Sequence, residues 1–191
     1  MKNDLIQSFF SKYYLSEEEK KNMIELNLFK TYAKGTVLLK EGEYSKYNYF
    51  VIKGCLRAYY MIDGIEKTIS FYLEEDAIFT ESPVHGKASK YYIICEEDCV
   101  LLRTSRKEEE FFTKKFPKML ILCNEFIKKE IVQQQEKFNF YTISSPELRY
   151  INILKNKPQL TQRVAQYHIA SYIGIKPESL SRIKKRISKA F

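Results

Sequence analysis

Residues 166–185 read QYHIASYIGIKPESLSRIKK, and the spacing within this stretch decides the C-terminal fold. Its apolar residues fall at Ile169, Ala170, Ile173, Ile175, Leu180 and Ile183. Ile169 and Ile173 lie one helical turn apart, and Leu180 and Ile183 nearly so, which predicts two short amphipathic helices that each bury one stripe. Gly174 supplies the positive φ needed where the first helix ends in a tight turn. Ala170 is small enough for two helices to cross closely, and Pro177 suits the first turn of the second helix, where its missing N–H costs nothing. A small residue, a glycine four positions on, and apolar residues six and nine beyond that glycine together give the spacing of a helix-turn-helix. A hairpin of helices built only for structure has no need of Ser179, Ser181, Arg182, Lys184, Lys185 and Arg186 over the exposed side of its second helix. The pattern therefore predicts binding to double-stranded DNA. An A-form RNA duplex is a poorer fit, because its deep, narrow major groove does not admit a reading helix.

The charge distribution agrees. Residues 142–191 hold ten Lys or Arg against two acids, Glu147 and Glu178, and the rest of the chain balances at 22 of each, from totals of 32 and 24. The whole excess of +8 thus sits in the last fifty residues, the footprint of a nucleic-acid-binding module joined to a neutral one.

Upstream, DLIQSFFSKYY and SEEEKKNMIELNLF show helical spacing, with Ser16 placed to cap a helix that begins at Glu17. Beyond Thr31 the texture changes to β-branched and aromatic runs, TVLLK, YNYFVIKG, CLRAYYMI, EKTISFYL, YYIIC and CVLLRT. Glycines at 35, 42, 54 and 64 punctuate the first of these about every ten residues. Such a series predicts a jelly-roll-like double-sheet barrel. A chain that is 45% hydrophobic and 15% aromatic can pack cores without staples. Cys55, Cys95, Cys99 and Cys123 lie scattered in apolar surroundings, without metal or redox spacing, and read as reduced core residues. The sequence has neither a 20-residue apolar span nor the features of a signal peptide at its start, so a cytoplasmic location is expected, with no membrane contact.

Two of these stretches carry a family resemblance. IASYIGIKPESLSRIKK resembles the helix-turn-helix of the Crp/Fnr superfamily of bacterial regulators, and GEYSKYNYFVIKGCLRAYY resembles the β-roll of that family's cyclic-nucleotide-binding-type domain. The resemblance covers nearly the whole chain. It implies an α+β protein with an N-terminal jelly-roll-like β-roll, a long dimerisation helix and a C-terminal winged helix-turn-helix. It further implies a homodimer on a palindromic DNA operator, an unknown small-molecule effector, and RNA polymerase as a partner if the protein activates transcription.

Cyclic-nucleotide-binding members of the family carry a Gly-Glu pair and, some ten residues on, an Arg followed by Ser or Thr. The corresponding stretch here is EEDAIFTESPVHGKASKYYIIC, with Phe79 and Thr80 in place of the first pair and Ser89 and Lys90 in place of the second. A lysine does not replace the bidentate grip of a guanidinium on phosphate, so neither cAMP nor cGMP is expected to bind. Glu81, His85, Lys87 and Lys90 form the candidate effector pocket, against the alternative that they are ordinary exposed loop side chains. The first fifty-four residues contain no cysteine, which excludes the iron–sulfur cluster of Fnr-type sensors; one His and a weaker ligand could hold haem, but His168 lies inside the helix-turn-helix and leaves only His85, and no cofactor or metal is expected.

EEEFFTKKFPKMLILCNEFIKKEIVQQQEKFNFYT, residues 108–142, predicts one long helix with a near-heptad stripe of Leu120, Cys123, Ile127, Ile131, Gln134 and Phe138. The stripe either lies on its own barrel or, as the resemblance implies, packs against a second copy. Thr142–Ser145 supply a linker and cap for the helix PELRYINILKN, and QLTQRV, residues 159–164, is a candidate wing strand. The expected units are thus a sensor-like domain over 1–107, a dimerisation helix over 108–141 and a DNA-binding domain over 142–191. On the second helix of the motif, Glu178, Ser179 and Arg182 face away from the core and are expected to read bases. Glu accepts from cytosine N4 and Arg donates to guanine O6 and N7. Gln166, Lys176, Ser181, Lys184, Lys185 and Arg186 are expected at phosphates. An ion pair between Glu178 and Arg182 on a solvated helix is the plainer alternative. A cupin-like metal enzyme is the competing class, but such sites need two or three histidines with a carboxylate and this barrel has one His, so no enzymatic activity is expected. A third reading has a β-roll that binds no ligand and answers to a partner protein.

Overall fold

A computed structural model of the chain describes residues 2–80 and 86–190. Two helices open it, α1 (Lys2–Lys12) and α2 (Glu17–Glu25). Ser16 caps α2 as its position predicts: its hydroxyl accepts from the Glu19 N–H, and the Glu19 carboxylate accepts from the Ser16 N–H at 2.7 Å.

Eight strands follow: β1 (Phe29–Tyr32), β2 (Val37–Leu39), β3 (Tyr47–Lys53), β4 (Leu56–Ile62), β5 (Ile65–Tyr72), β6 (Ala77–Ile78), β7 (Tyr92–Cys95) and β8 (Cys99–Ser105). They form two antiparallel four-stranded sheets, β1-β8-β3-β6 and β2-β7-β4-β5, the double-sheet roll expected from the glycine-punctuated runs. Asp63 and Gly64 turn β4 into β5 with φ of 52° and 76°, the two left-handed residues of a tight hairpin. Between the sheets lie Leu39, Tyr49, Val51, Leu56, Ala58, Ile78, Ile93, Cys95 and Leu101. On the first sheet the residues that alternate with these, among them Phe50 and Leu102, face outward onto α1, α2 and the helices that follow β8.

The long helix expected over 108–142 is instead two helices, α3 (Arg106–Lys115) and α4 (Pro117–Ile143). Pro117 has no N–H to donate and its ring disfavours helical geometry in the residue before it. Phe116 accordingly turns to φ −128°, ψ 89°, and α4 starts afresh with Pro117 at its first position. α5 (Pro146–Asn156) follows after only Ser144 and Ser145, and the Ser145 hydroxyl accepts from the Leu148 N–H. The expected wing strand is a second correction. Residues 160–163 form a helical turn, α6 (Leu160–Arg163), and among the described residues no strand occurs beyond Ser105. Leu160 and Val164, four apart, both enter one core, which is helical rather than alternating burial. The chain ends in α7 (Gln166–Ile173) and α8 (Pro177–Ala190).

Candidate nucleic-acid interface

α7 and α8 take the form the glycine predicted. Gly174 has φ 83°, and the N–H groups of Gly174 and Ile175 donate back to the carbonyls of Ser171 and Ala170 at 3.1 and 3.0 Å, which closes the end of α7. Ile169, Ala170, Ile173, Leu180 and Ile183 are all buried in one core with Tyr150 and Ile153 of α5 and with Leu160 and Val164. α8 is therefore held by one stripe, and the rest of its circumference is turned to solvent.

On that free surface stand Lys176, Glu178, Ser181, Arg182, Lys184, Lys185 and Arg186, all exposed, while Ser179 is half-buried. Among the described residues no ion pair joins Glu178 to Arg182, so the plainer use of that spacing is not made. Two of the cations expected at phosphates have protein partners instead: Lys184 Nζ donates to Gln166 Oε1 at 3.1 Å, and Arg186 pairs with Glu147 of α5 at 2.7 Å. Gln166 also donates to the Thr161 carbonyl at 3.3 Å, so its amide sits at the edge of the basic surface, half-buried.

The sequence reading missed the residues that join this module to the roll. Ser171 on α7 seats its hydroxyl on the edge strand β5, where it accepts from the Thr68 N–H at 2.9 Å and donates to the Glu66 carbonyl at 3.2 Å. Beside it Phe71 and Tyr172 meet edge-on with ring centroids 5.2 Å apart. Arg163 binds Glu74 through both terminal nitrogens at 2.8 Å and also pairs with Glu97, contacts that hold its guanidinium further toward the charged form. Arg57, 2% exposed on β4, pairs with Glu96 and, at 2.7 Å, with Glu66. His168 of α7 lies against both carboxylates, 4.0 Å from Glu66 and 3.8 Å from Glu96. Burial first, and then the Arg57 charge, push the imidazole below its ordinary pKa of 6.5 against the pull of those carboxylates. The two contacts are ion pairs only when the imidazole is protonated, which these surroundings disfavour. Arg149 spans the hinge, donating to the carbonyls of Tyr141 at the end of α4 and Ile173 at the end of α7, at 2.8 and 3.1 Å. One signal for this set was present: Arg57 interrupts the apolar run CLRAYY, where a charge must find partners if the strand is buried on both faces.

Of the candidate effector residues, Glu81 and His85 lie outside the described residues, and Lys87 and Lys90 are exposed. Two of the four positions that depart from the nucleotide cassette are held by hydrogen bonds within the roll. Thr80 donates its N–H to Asn48 Oδ1 and its hydroxyl to the Tyr47 carbonyl, both at 3.0 Å, and the Ser89 hydroxyl donates to the Tyr91 carbonyl at 2.7 Å.

On α4 the expected seam is largely uncovered. Leu120, Ile127, Ile131 and Phe138 are exposed by 49, 39, 60 and 72%, and Gln134 is exposed between the last two. Cys123 is the exception: it turns inward beside Leu122 and Phe126 to line a cavity against the roll, because that face of α4 covers Phe50 and the N-terminal helices. Among the described residues no helix is long and apolar enough to cross a membrane.

Residues 29–114 match the family described as Cyclic nucleotide-binding domain. Among curated proteins none matches the chain in sequence. Solved structures share its fold at low identity. FixK2 from Bradyrhizobium japonicum is 17% identical at a TM-score of 0.69, with 85% of this chain and 84% of that one covered. CLP, a c-di-GMP-responsive global regulator of Xanthomonas campestris, is 16% identical at 0.67, covering 89% and 92%. A transcriptional regulator described as of the crp/fnr family, from Eubacterium rectale, is 17% identical at 0.66, covering 92% and 85%.

Proposed function

From a chain that has a cyclic nucleotide-binding-type domain and the fold of Crp/Fnr-type regulators, we propose a sequence-specific, DNA-binding transcription regulator that acts as a homodimer in the cytoplasm and is not an enzyme. The observation that carries the reading is the surface of α8, anchored by Leu180 and Ile183 and otherwise lined by exposed polar and basic side chains. Glu178, Ser179 and Arg182, near the start of that helix, read base edges in the major groove. Gln166, Lys176, Ser181, Lys184, Lys185 and Arg186 position it on phosphates, and Lys184 and Arg186 exchange their present partners for the backbone of the duplex. The uncovered stripe of α4 packs against a second copy, so that two DNA-binding units over 142–191 meet a palindrome. Residues 1–107 act as the sensor and 108–141 as the dimer element. The cassette lacks its arginine, and Thr80 and Ser89 are committed to backbone groups, so the effector is not cAMP.

Titration of fluorescent duplex DNA with the full chain tests this, with and without millimolar cAMP. Affinity is expected to fall linearly with salt on logarithmic axes, as phosphate contacts demand, and to be unmoved by cAMP. No duplex binding at low salt overturns the regulator; a saturable response to cAMP overturns the reading of the cassette.

A further inference from the structure

A cavity of about 120 Å³ lies outside the roll, on the face of the β1-β8-β3-β6 sheet turned away from the intersheet core. Phe9 of α1, Tyr13 just beyond its end, Phe50 of β3, Phe112 of α3 and Met119 and Phe126 of α4 contribute to its wall. The polar groups at its rim are engaged with one another. Glu109 Oε1 accepts from Asn48 Nδ2 at 3.0 Å and from the Thr104 hydroxyl at 2.7 Å, while the Thr113 hydroxyl donates to the Glu109 carbonyl at 2.9 Å. A guest therefore meets ring faces, ring edges, methyls and thioethers, and a polar or charged guest would lose its hydration without replacement. The volume approaches the roughly 150 Å³ of an enclosed apolar protein cavity that takes benzene, but this one is partly open to solvent.

We infer that this cavity is a binding site for a small uncharged aromatic molecule, of benzene to toluene size, gripped between the N-terminal helices, the sheet and the first half of α4. The site is separate from the nucleotide cassette, whose Ser89 and Lys90 do not line it, although Phe79, which stands where the cassette's glycine would, forms part of the wall. Met119, Leu122, Cys123 and Phe126 present the inner face of the helix whose outer face carries Leu120, Ile127 and Ile131. A guest that shifts α4 outward by a fraction of an ångström therefore alters the surface offered to a second copy. That consequence rests on the dimer reading and the binding does not: a chain that takes toluene but no DNA keeps the site and loses the regulator.

The four methionines make the test direct. Met23 and Met119 line the cavity and Met61 lies exposed at the far end of β4. Toluene titrated into protein labelled at its methionine methyls is expected to shift Met23 and Met119 saturably, by ring currents, and to leave Met61 in place. Ala77→Leu, which fills the cavity from the sheet, is expected to weaken the binding by more than about tenfold, since added methylenes compete for the same space. Absence of saturation, an equal response at Met61, or unchanged affinity in a folded Ala77→Leu protein each overturn the site. Where Ala77→Leu does not fold, the response of the unsubstituted chain decides.

Discussion

Arg182 and Lys185 stand three positions apart on α8 and are both exposed, yet they are assigned different work. Arg182 shares a face with Glu178 near the start of the helix, where a recognition helix meets base edges; Lys185 lies further along, where such a helix would leave the groove floor. Arg182→Ala is expected to cost about 1–3 kcal/mol per half-site and to relax preference at one base pair. Lys185→Ala is expected to weaken every duplex alike and to flatten the salt dependence. Titrations against matched and mismatched duplexes separate the two, and an equal loss for all sequences in Arg182→Ala would make that residue a phosphate contact. His168 makes a pH prediction. Its folded pKa lies below the unfolded value, so the unfolded chain takes up the proton first, and the stability His168 contributes is present above about pH 6.5 and lost as pH falls through the folded value. Thermal midpoints measured from pH 7.5 to 5 should fall less steeply in His168→Gln than in the unsubstituted chain; parallel curves would mean that His168 does not set this slope. At this scale the sequence made the α8 surface legible, because exposed polar residues around a two-point apolar stripe need no tertiary knowledge. It hid the partners of Arg57 and His168, which are Glu66 on β5 and Glu96 just beyond the end of β7.

Among elements, α4 tests the reading most sharply. Its apolar residues divide between two faces: Leu122, Cys123 and Phe126 turn to the roll, and Leu120, Ile127, Ile131 and Phe138 turn outward, where water meets an apolar stripe too long to be incidental. Ile127→Lys leaves the protomer intact, because Ile127 already reaches solvent in it, but a lysine in the seam would be buried without a partner. Light scattering should then report a monomer, and a full dimer would place the interface elsewhere. The period of this helix was readable from sequence, and its ends were less so. A proline at an early turn was compatible with continuation, and only the torsion of Phe116 reveals that α3 and α4 are separate. The residues of α6 misled for a related reason: QLTQRV alternates apolar and polar at its ends, and the fold resolves that pattern as Leu160 and Val164 on one side of a turn.

At the scale of the whole molecule, the C-terminal helical unit is seated on the roll through contacts no local pattern announces. The Ser171 hydroxyl lies on the edge of β5 across a separation of 103 residues, and Arg163 reaches Glu74 across 89. Cys55, Phe71 and Leu73 of the roll enter the same core as Ile169 and Ile173, so the two regions that the charge distribution separates share apolar packing. The contacts that join the roll and α4 to α7 are the Ser171 hydroxyl on β5 and the Arg149 guanidinium between Tyr141 and Ile173. The central claim is that two such units read DNA as a symmetric pair. Selection of bound duplexes from a random pool by the full-length chain tests it most directly. Recovered sequences are expected to converge on an inverted repeat with half-site centres about 34 Å, one helical turn, apart or a multiple of that. A pool that stays random after repeated rounds, or converges on a single site without symmetry, would contradict the account.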